Sequence, residues 1–276
     1  MDVSILIVHY NTPELLRQTL RGILKAAPRV KYEVVVVDNN PDCSVKKLVA
    51  DEFPEARLVE PGENVGFGPG MNLAMEEAKG RYYMIFNPDV VLHRGALEEM
   101  VDHMDQHDDI GILGPQLRHP NGELQHSCYR FMKPKTVAYR RIPLLRALPS
   151  AREHINDYLM ADWDHGETRD VDYLLGAVMF TRREAIEEVG KFDENYFMYF
   201  EDQDLCRRFW KAGWRVVYHP GAVMRHYHRR ETAHGSFLDQ LRNPLTRIQL
   251  ESALYYYKKY RGEENPRLTH QAKNNQ

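Results

Sequence analysis

Apolar runs of strand length alternate with amphipathic stretches through the first 115 residues of the chain. Val3–Val8 predicts a buried strand. Thr12-Pro13-Glu14 then opens a helix, with Thr12 as N-cap and Pro13 at the first helical position. Leu15, Leu16, Leu20, Ile23 and Leu24 follow at helical spacing. Tyr32–Val37 predicts a second buried strand that ends at Asp38-Asn39-Asn40. Val45–Phe53 predicts a short helix, Ala56–Glu60 a third strand, and Pro69–Lys79 a helix behind a Gly-rich turn. Arg81–Phe86 predicts a fourth strand, Gly95–His107 a helix, and Ile110–Leu113 a further short strand. Such alternation implies an α/β fold: a mostly parallel sheet with helices on both faces.

The pattern then changes. Residues Arg118–Asp170 read as irregular and are basic around Lys133–Arg146. Val171–Phe180 predicts a strand with Gly176 inside it. Thr181-Arg182-Arg183-Glu184 has capping-box spacing. Glu201–Ala212 predicts a helix stopped by Gly213. Trp214–Tyr218 and Ala222–His226 predict two strands, and Phe237–Tyr260 a long helix bent near Pro244. The tail after Gly262 is polar and predicted to fray. No repeat and no clean linker appears, so one domain (1–262) is expected, followed by a polar, flexible tail (263–276). Its halves would be 1–115 and 116–262.

Composition narrows the classes. A net charge of −3 argues against nonspecific nucleic-acid binding. The three cysteines, Cys43, Cys128 and Cys206, form no CxxC and no disulfide framework, which points to a reducing cytoplasm. The N-terminus reads as a strand rather than a signal peptide, and no stretch approaches the ~20 apolar residues of a membrane helix. Tyr255–Arg261 interleaves aromatics with cations. That suits an interfacial helix. It equally suits a helix C-terminus whose cations complement the dipole, which is the preferred reading.

Ligands of parallel sheets bind beyond the carboxyl ends of the strands. Three such ends carry polar groups: His9-Tyr10-Asn11, Asp38-Asn39-Asn40 and Asn87-Pro88-Asp89. Asp89 follows the apolar run Tyr82–Phe86, and Pro88 ends that strand because proline has no N–H for a sheet. A carboxylate there is placed to grip a metal–phosphate group, although Asn-Pro-Asp is also good turn chemistry. Between the last two ends, Asn64–Asn72 carries Gly66, Gly68 and Gly70, which permit close backbone approach to a ligand or simply a tight turn. It is neither a Walker loop nor a dinucleotide fingerprint. Later, Tyr196–Phe200 leads into Glu201-Asp202-Gln203-Asp204. Acids favour helix N-termini. A carboxylate against aromatic rings also has a raised pKa, as a general base requires. His219, His226, His228 and His234 gather near the end. His226 closes an apolar strand and is a possible metal ligand, as it is a possible core histidine.

Taken in order, the stretches Val8–Asn11, Val37–Asn39, Asn64–Phe67, Asn87–Asp89, Leu175–Ala177, Phe200–Cys206 and Pro220–His226 resemble the inverting family-2 glycosyltransferases of GT-A fold. The branch they look closest to is the rhamnosyltransferases of bacterial surface polysaccharide, including O-antigen. The resemblance runs from Val3 to about Gly262. It implies a GT-A (Rossmann-like) fold that binds a nucleotide-diphospho-sugar. Asp38 would meet the pyrimidine, with His9, Tyr10 and Asn11 lining the nucleoside pocket. Asn64, Gly66, Phe67, Asn72 and Asn87 would shape the floor under diphosphate and sugar. Asp89 and His226 would hold Mg²⁺ or Mn²⁺, Asp202 would be the base, and Gly176, Ala177 and Glu201 would border the acceptor. Glu201 and Asp204 stay open as rival bases. Asn87 stands where the family's Asp-x-Asp motif has its first acid. The implied donor is dTDP-rhamnose, with UDP-hexoses and UDP-galactofuranose next. The implied acceptor is a saccharide or lipid-linked saccharide at the inner face of the cell membrane. A nucleotidyltransferase would need a Gly-rich basic loop after the first strand, where His9–Pro13 stands. A silent binding module would not need Asp38, Asp89, Asp202 and His226 together.

Overall fold

The computed structural model describes residues 1–227 and 243–274. The first half runs β1 (Val3–His9), α1 (Pro13–Ala26), β2 (Tyr32–Asp38), α2 (Lys46–Glu52), β3 (Arg57–Val59), α3 (Phe67–Glu77), β4 (Tyr82–Phe86), β5 (Val90–Leu92), α4 (Ala96–Asp105) and β6 (Ile110–Arg118). The connection to the second half holds β7 (Leu124–Gln125), β8 (Cys128–Tyr129), α5 (Pro134–Arg141), α6 (Pro143–Arg146), α7 (Pro149–Tyr158) and β9 (Arg169–Asp170). Then follow β10 (Tyr173–Leu174), β11 (Val178–Arg182), α8 (Arg183–Val189), α9 (Glu201–Ala212), β12 (Arg215–His226), α10 (Pro244–Lys259) and α11 (Pro266–Asn274).

The central sheet has the order β3-β2-β1-β4-β11-β6-β12-β5. Its first four strands are parallel, as are β6 and β12. Successive side chains of β1 enter opposite cores, as a pleated strand requires. Ile5 and Ile7 pack with Leu16, Leu20 and Ile23 of α1, while Leu6 and Val8 pack with Met71 and Met75 of α3. The protein is therefore an α/β molecule with a mostly parallel sheet covered on both faces, as its sequence predicts.

The departures are informative. The expected strand Val171–Phe180 is split into β10 and β11, and β11 runs antiparallel between β4 and β6, pairing Val178 with Phe86 and Phe180 with Leu113. The two expected strands after Trp214 are one strand, β12, whose register to β6 slips between His219 and Val223, around Pro220-Gly221. The connection expected to be irregular contains three helices. Thr181 makes no capping box: its hydroxyl donates to the Tyr83 carbonyl, 3.2 Å away, inside the sheet. Thr12 likewise precedes α1 without a side-chain cap. Pro244 starts α10 rather than bending it, with Asn243 Oδ1 accepting from the Leu245 N–H at 2.9 Å. Phe237, His228 and His234 lie outside the described residues. The tail forms α11, where Arg267 is 8% exposed and donates to Asp172 at 2.5 Å. The aromatic face of Tyr255–Arg261 is not free for an interface, because Tyr256 and Tyr260 pack against Tyr196 and Phe200 in a core of their own.

Candidate active site

The sheet gathers the predicted residues by register. β1 and β2 end together, pairing His9 with Asp38. β4 passes Phe86 opposite Val178, so the Asn87 N–H donates to the Ala177 carbonyl at 2.9 Å. β5 turns back beside β12, pairing Val90 with His226, so the Tyr227 N–H donates to the Asp89 carbonyl at 2.8 Å. Gly176 in turn donates its N–H to Asp202 Oδ2 at 3.0 Å. A continuous chain of contacts therefore runs from His226 and Asp89 through Asn87, Ala177 and Gly176 to Asp202.

At the first corner, the His9 ring accepts the Thr12 N–H on Nε2 (3.0 Å), so its proton sits on Nδ1 and is donated to Asp38 Oδ1 at 3.0 Å. The Asp38 carboxylate also takes the N–H groups of Asn40 (3.2 Å) and Val45 (2.8 Å). His9 and Asp38 are thus buried organisers of the β2–α2 loop. Tyr10, 54% exposed, and Asn11, with φ of +54°, stand at the open end of β1.

The glycine loop is a close approach. Gly66 has φ of +94°, and a Cβ there would lie 2.4 Å from the Phe197 carbonyl oxygen. The Phe67 N–H donates to that oxygen at 2.8 Å, and the Phe67 ring meets Phe192 edge-on. Asn64 Oδ1 accepts the Gly66 N–H at 3.1 Å. Asn72 is 5% exposed, and its amide both accepts from and donates to the Phe192 backbone, each at 2.9 Å. The structure places Asn72 as a clamp between α3 and the approach to α9. Asn72→Ala is expected to cost about 1–3 kcal/mol, because two buried backbone groups lose their partners. A thermal melt reads this as a lower Tm, with donor KM unchanged.

Tyr199 and Phe200 both adopt left-handed conformations, with φ of +69° and +68°. For bulky residues this costs on the order of 1–3 kcal/mol each. The bend starts α9 at Glu201 and sets three acids in its first turn. They are not equivalent. Asp204 is fully buried and accepts from Lys259 (2.6 Å), Tyr260 (2.7 Å), Tyr196 (3.3 Å) and Arg208 (2.8 Å). It is a structural hub. Glu201 is 6% exposed, and its Oε2 has no hydrogen-bond partner. Burial, and then the charge of Asp202, push its pKa well up. Asp202 keeps a partly exposed face. Burial raises its carboxyl to about 6, against the N–H groups of Gly176 and Gln203, which favour the ionised form. The charge of Asp202 therefore opposes ionisation of Glu201, and the two titrate as a pair.

The opposite corner has the chemistry of a cation site. Asp89 Oδ1 is buried with no hydrogen-bond partner and stands 3.3 Å from His226 Nε2. His226 Nδ1 meets Gln125 Oε1 at 3.1 Å, an acceptor that places the ring proton on Nδ1, and Nε2 faces Asp89. Among the described residues no group of three or more His, Cys, Asp or Glu could hold a metal ion alone. A cation here would take its other ligands from a bound molecule or water. His219 has a different place, bonded to Glu99 (2.9 Å) and Thr168 (2.8 Å).

Three participants carry no sequence signal. Gln125 orients His226 from within the stretch that reads as irregular. Thr19 of α1 donates to the Pro88 carbonyl at 2.6 Å and so fixes the Asn-Pro-Asp turn. Tyr129 stacks on Tyr158 and Tyr173, rings close enough to feel the charge of Asp202.

Comparison with known proteins shows the family and the fold. A family profile described as "Glycosyltransferase like family 2" matches residues 1–247. The N-acetylglucosaminyl-diphospho-decaprenol L-rhamnosyltransferase of Mycobacterium tuberculosis is 28% identical over 83% of this chain and 77% of its own length. Among solved structures, GalNAc-T7 with UDP, GalNAc and Mn²⁺ superposes with a TM-score of 0.62 at 15% identity, over 85% of this chain and 45% of that one. The mannosyltransferase PcManGT of Pyrobaculum calidifontis, with GDP-Man and Mn²⁺, gives 0.56 at 18% identity, over 99% and 79%. These neighbours share the GT-A fold.

Proposed function

The chain belongs to glycosyltransferase-like family 2, and on that premise we propose that it transfers L-rhamnose from dTDP-rhamnose, with inversion, to a saccharide or lipid-linked saccharide acceptor of bacterial surface polysaccharide. The observation that carries this reading is the partly exposed Asp202 carboxylate joined through Gly176 and Ala177 to the Asn87–Asp89 turn. The name of the mycobacterial relative supports both rhamnosyl transfer and a lipid-diphosphate acceptor.

In this mechanism residues 1–115 hold the donor and residues 116–262 the acceptor. Tyr10 and Asn11 border the nucleoside, on a rim held in place by His9 and Asp38. The backbone of the Asn64–Phe67 loop lies beneath the diphosphate and sugar. Asp202 Oδ accepts the proton of the acceptor hydroxyl as that oxygen attacks the anomeric carbon opposite the leaving nucleoside diphosphate. Burial disfavours the ionised form of Glu201, which leaves Asp202 as the proton acceptor. Asp89 and His226 would hold Mg²⁺ or Mn²⁺, which when bound neutralises the charge growing on the leaving diphosphate.

Asp89→Ala is expected to weaken donor binding by roughly 10–100-fold and to remove its dependence on added Mg²⁺ or Mn²⁺. Calorimetric titration of donor with and without the ion checks this, and full turnover in excess chelator would contradict it. The function itself is tested with a panel of dTDP-rhamnose, UDP-hexoses and UDP-galactofuranose against a lipid-linked acceptor. Proton NMR of the product gives the sugar and the anomeric configuration. A retained configuration, or no turnover of dTDP-rhamnose while another donor reacts, overturns the corresponding part of the proposal.

A further inference from the structure

We propose that the face built by α5, α6 and α7 docks onto an anionic lipid bilayer. Residues 131–152 contain six cations, Lys133, Lys135, Arg140, Arg141, Arg146 and Arg152, and no Asp or Glu, in a chain whose net charge is −3; the acids of α7, Glu153 and Asp157, follow this stretch, and Asp157 is paired with Arg130 at 2.8 Å. Within the same stretch Ile142, Leu144 and Leu148 are 38%, 81% and 44% exposed. Single exposed aliphatics are ordinary. Three within seven residues, in the same short stretch as five exposed cations, combine the two terms that hold a segment at an anionic interface: apolar burial below the headgroups and attraction to them.

The face is also tied to the rest of the molecule. Arg141 reaches Thr246 and Gln249 of α10, Thr136 bonds His154 at 2.7 Å, and the Met132 N–H donates to Gln203 Oε1 at 2.6 Å. Gln203 follows Asp202, so the docking face is tied to the first turn of α9. The rival surface, Tyr255–Arg261, has its pattern occupied internally. Tyr256 and Tyr260 are in a core, and Lys259 is held between Asp193 (2.7 Å) and Asp204. The inference goes beyond sugar transfer, because it is read without donor or acceptor and can fail while transfer stands.

The test is co-sedimentation of the full chain with phosphatidylglycerol–phosphatidylethanolamine vesicles and with phosphatidylcholine vesicles. Binding is expected to the first only and to fall as salt is raised. Lys135→Gln, Arg146→Gln and Arg152→Gln together should lower partitioning roughly a hundredfold, and Leu144→Glu alone should lower it as well. All four positions are exposed, and a thermal melt confirms that the variants fold. Three results overturn the proposal: no pelleting of the parent protein with anionic vesicles, equal pelleting of parent and triple variant, or loss of binding through Leu254→Glu with Lys258→Glu on α10 instead.

Discussion

Asp202→Asn loses about 10²–10⁴ of turnover while remaining folded. The amide can still accept the Gly176 N–H through its oxygen, so the loop between β10 and β11 keeps its place. What disappears is the proton acceptor. The same substitution is expected to raise Tm, because burial works against the ionised carboxylate. The sign follows from linkage. The carboxyl lies at about 6 in the folded protein, above its ordinary 3.8, so the folded state binds more protons between these values and stability falls as pH rises through that window. Activity moves the opposite way, falling as pH drops through about 6 and the base is protonated. Turnover of Asp202→Asn above a tenth of the parent, or a flat profile for the parent protein between pH 5 and 7, would remove Asp202 from the role.

Asp204→Ala, two residues further along the same helix, has the reverse signature. It removes the acceptor for Lys259, Tyr260, Tyr196 and Arg208 in one step, inside a site with no solvent exposure. Breaking such a buried charge network costs about 3–5 kcal/mol, or a Tm lower by on the order of 10 °C in a chain of this size. Activity lost by this variant should follow the folded fraction measured by circular dichroism, with the pH profile unmoved. An Asp204→Ala protein that melts normally but does not turn over would exchange the roles of the two aspartates.

The sequence separates these acids only partly. Residues two apart on a helix point in different directions, so one of Asp202 and Asp204 had to face away from the crevice. Which one depends on the left-handed turn at Tyr199-Phe200, a conformation that bulky residues do not announce. The strand–helix alternation of the first half is legible because its central strands β1 and β4 are apolar runs buried on both faces, and the turns after them carry proline, glycine or asparagine. The stretch 118–170 is less legible. Its helices are short, their apolar faces narrow, and prolines at 134, 143 and 149 that start helices read equally well as breaks. β11 illustrates a different limit. Val178–Arg182 is recognisable as a strand, but local pattern cannot tell that it enters between β4 and β6 antiparallel to both.

That insertion has a consequence for the nascent chain. Until residues 178–182 are made, β4 has a bare edge, since its partner on that side is β11. Tyr82–Phe86 is apolar throughout, the kind of edge that pairs readily with another polypeptide. The sheet cannot close as the ribosome delivers it, and β6, paired until then only with the short β7, waits for the same residues to join it to β4. Folding of this protein is therefore gated by sequence-distant pairing, which makes it slow and gives chaperones something to shield.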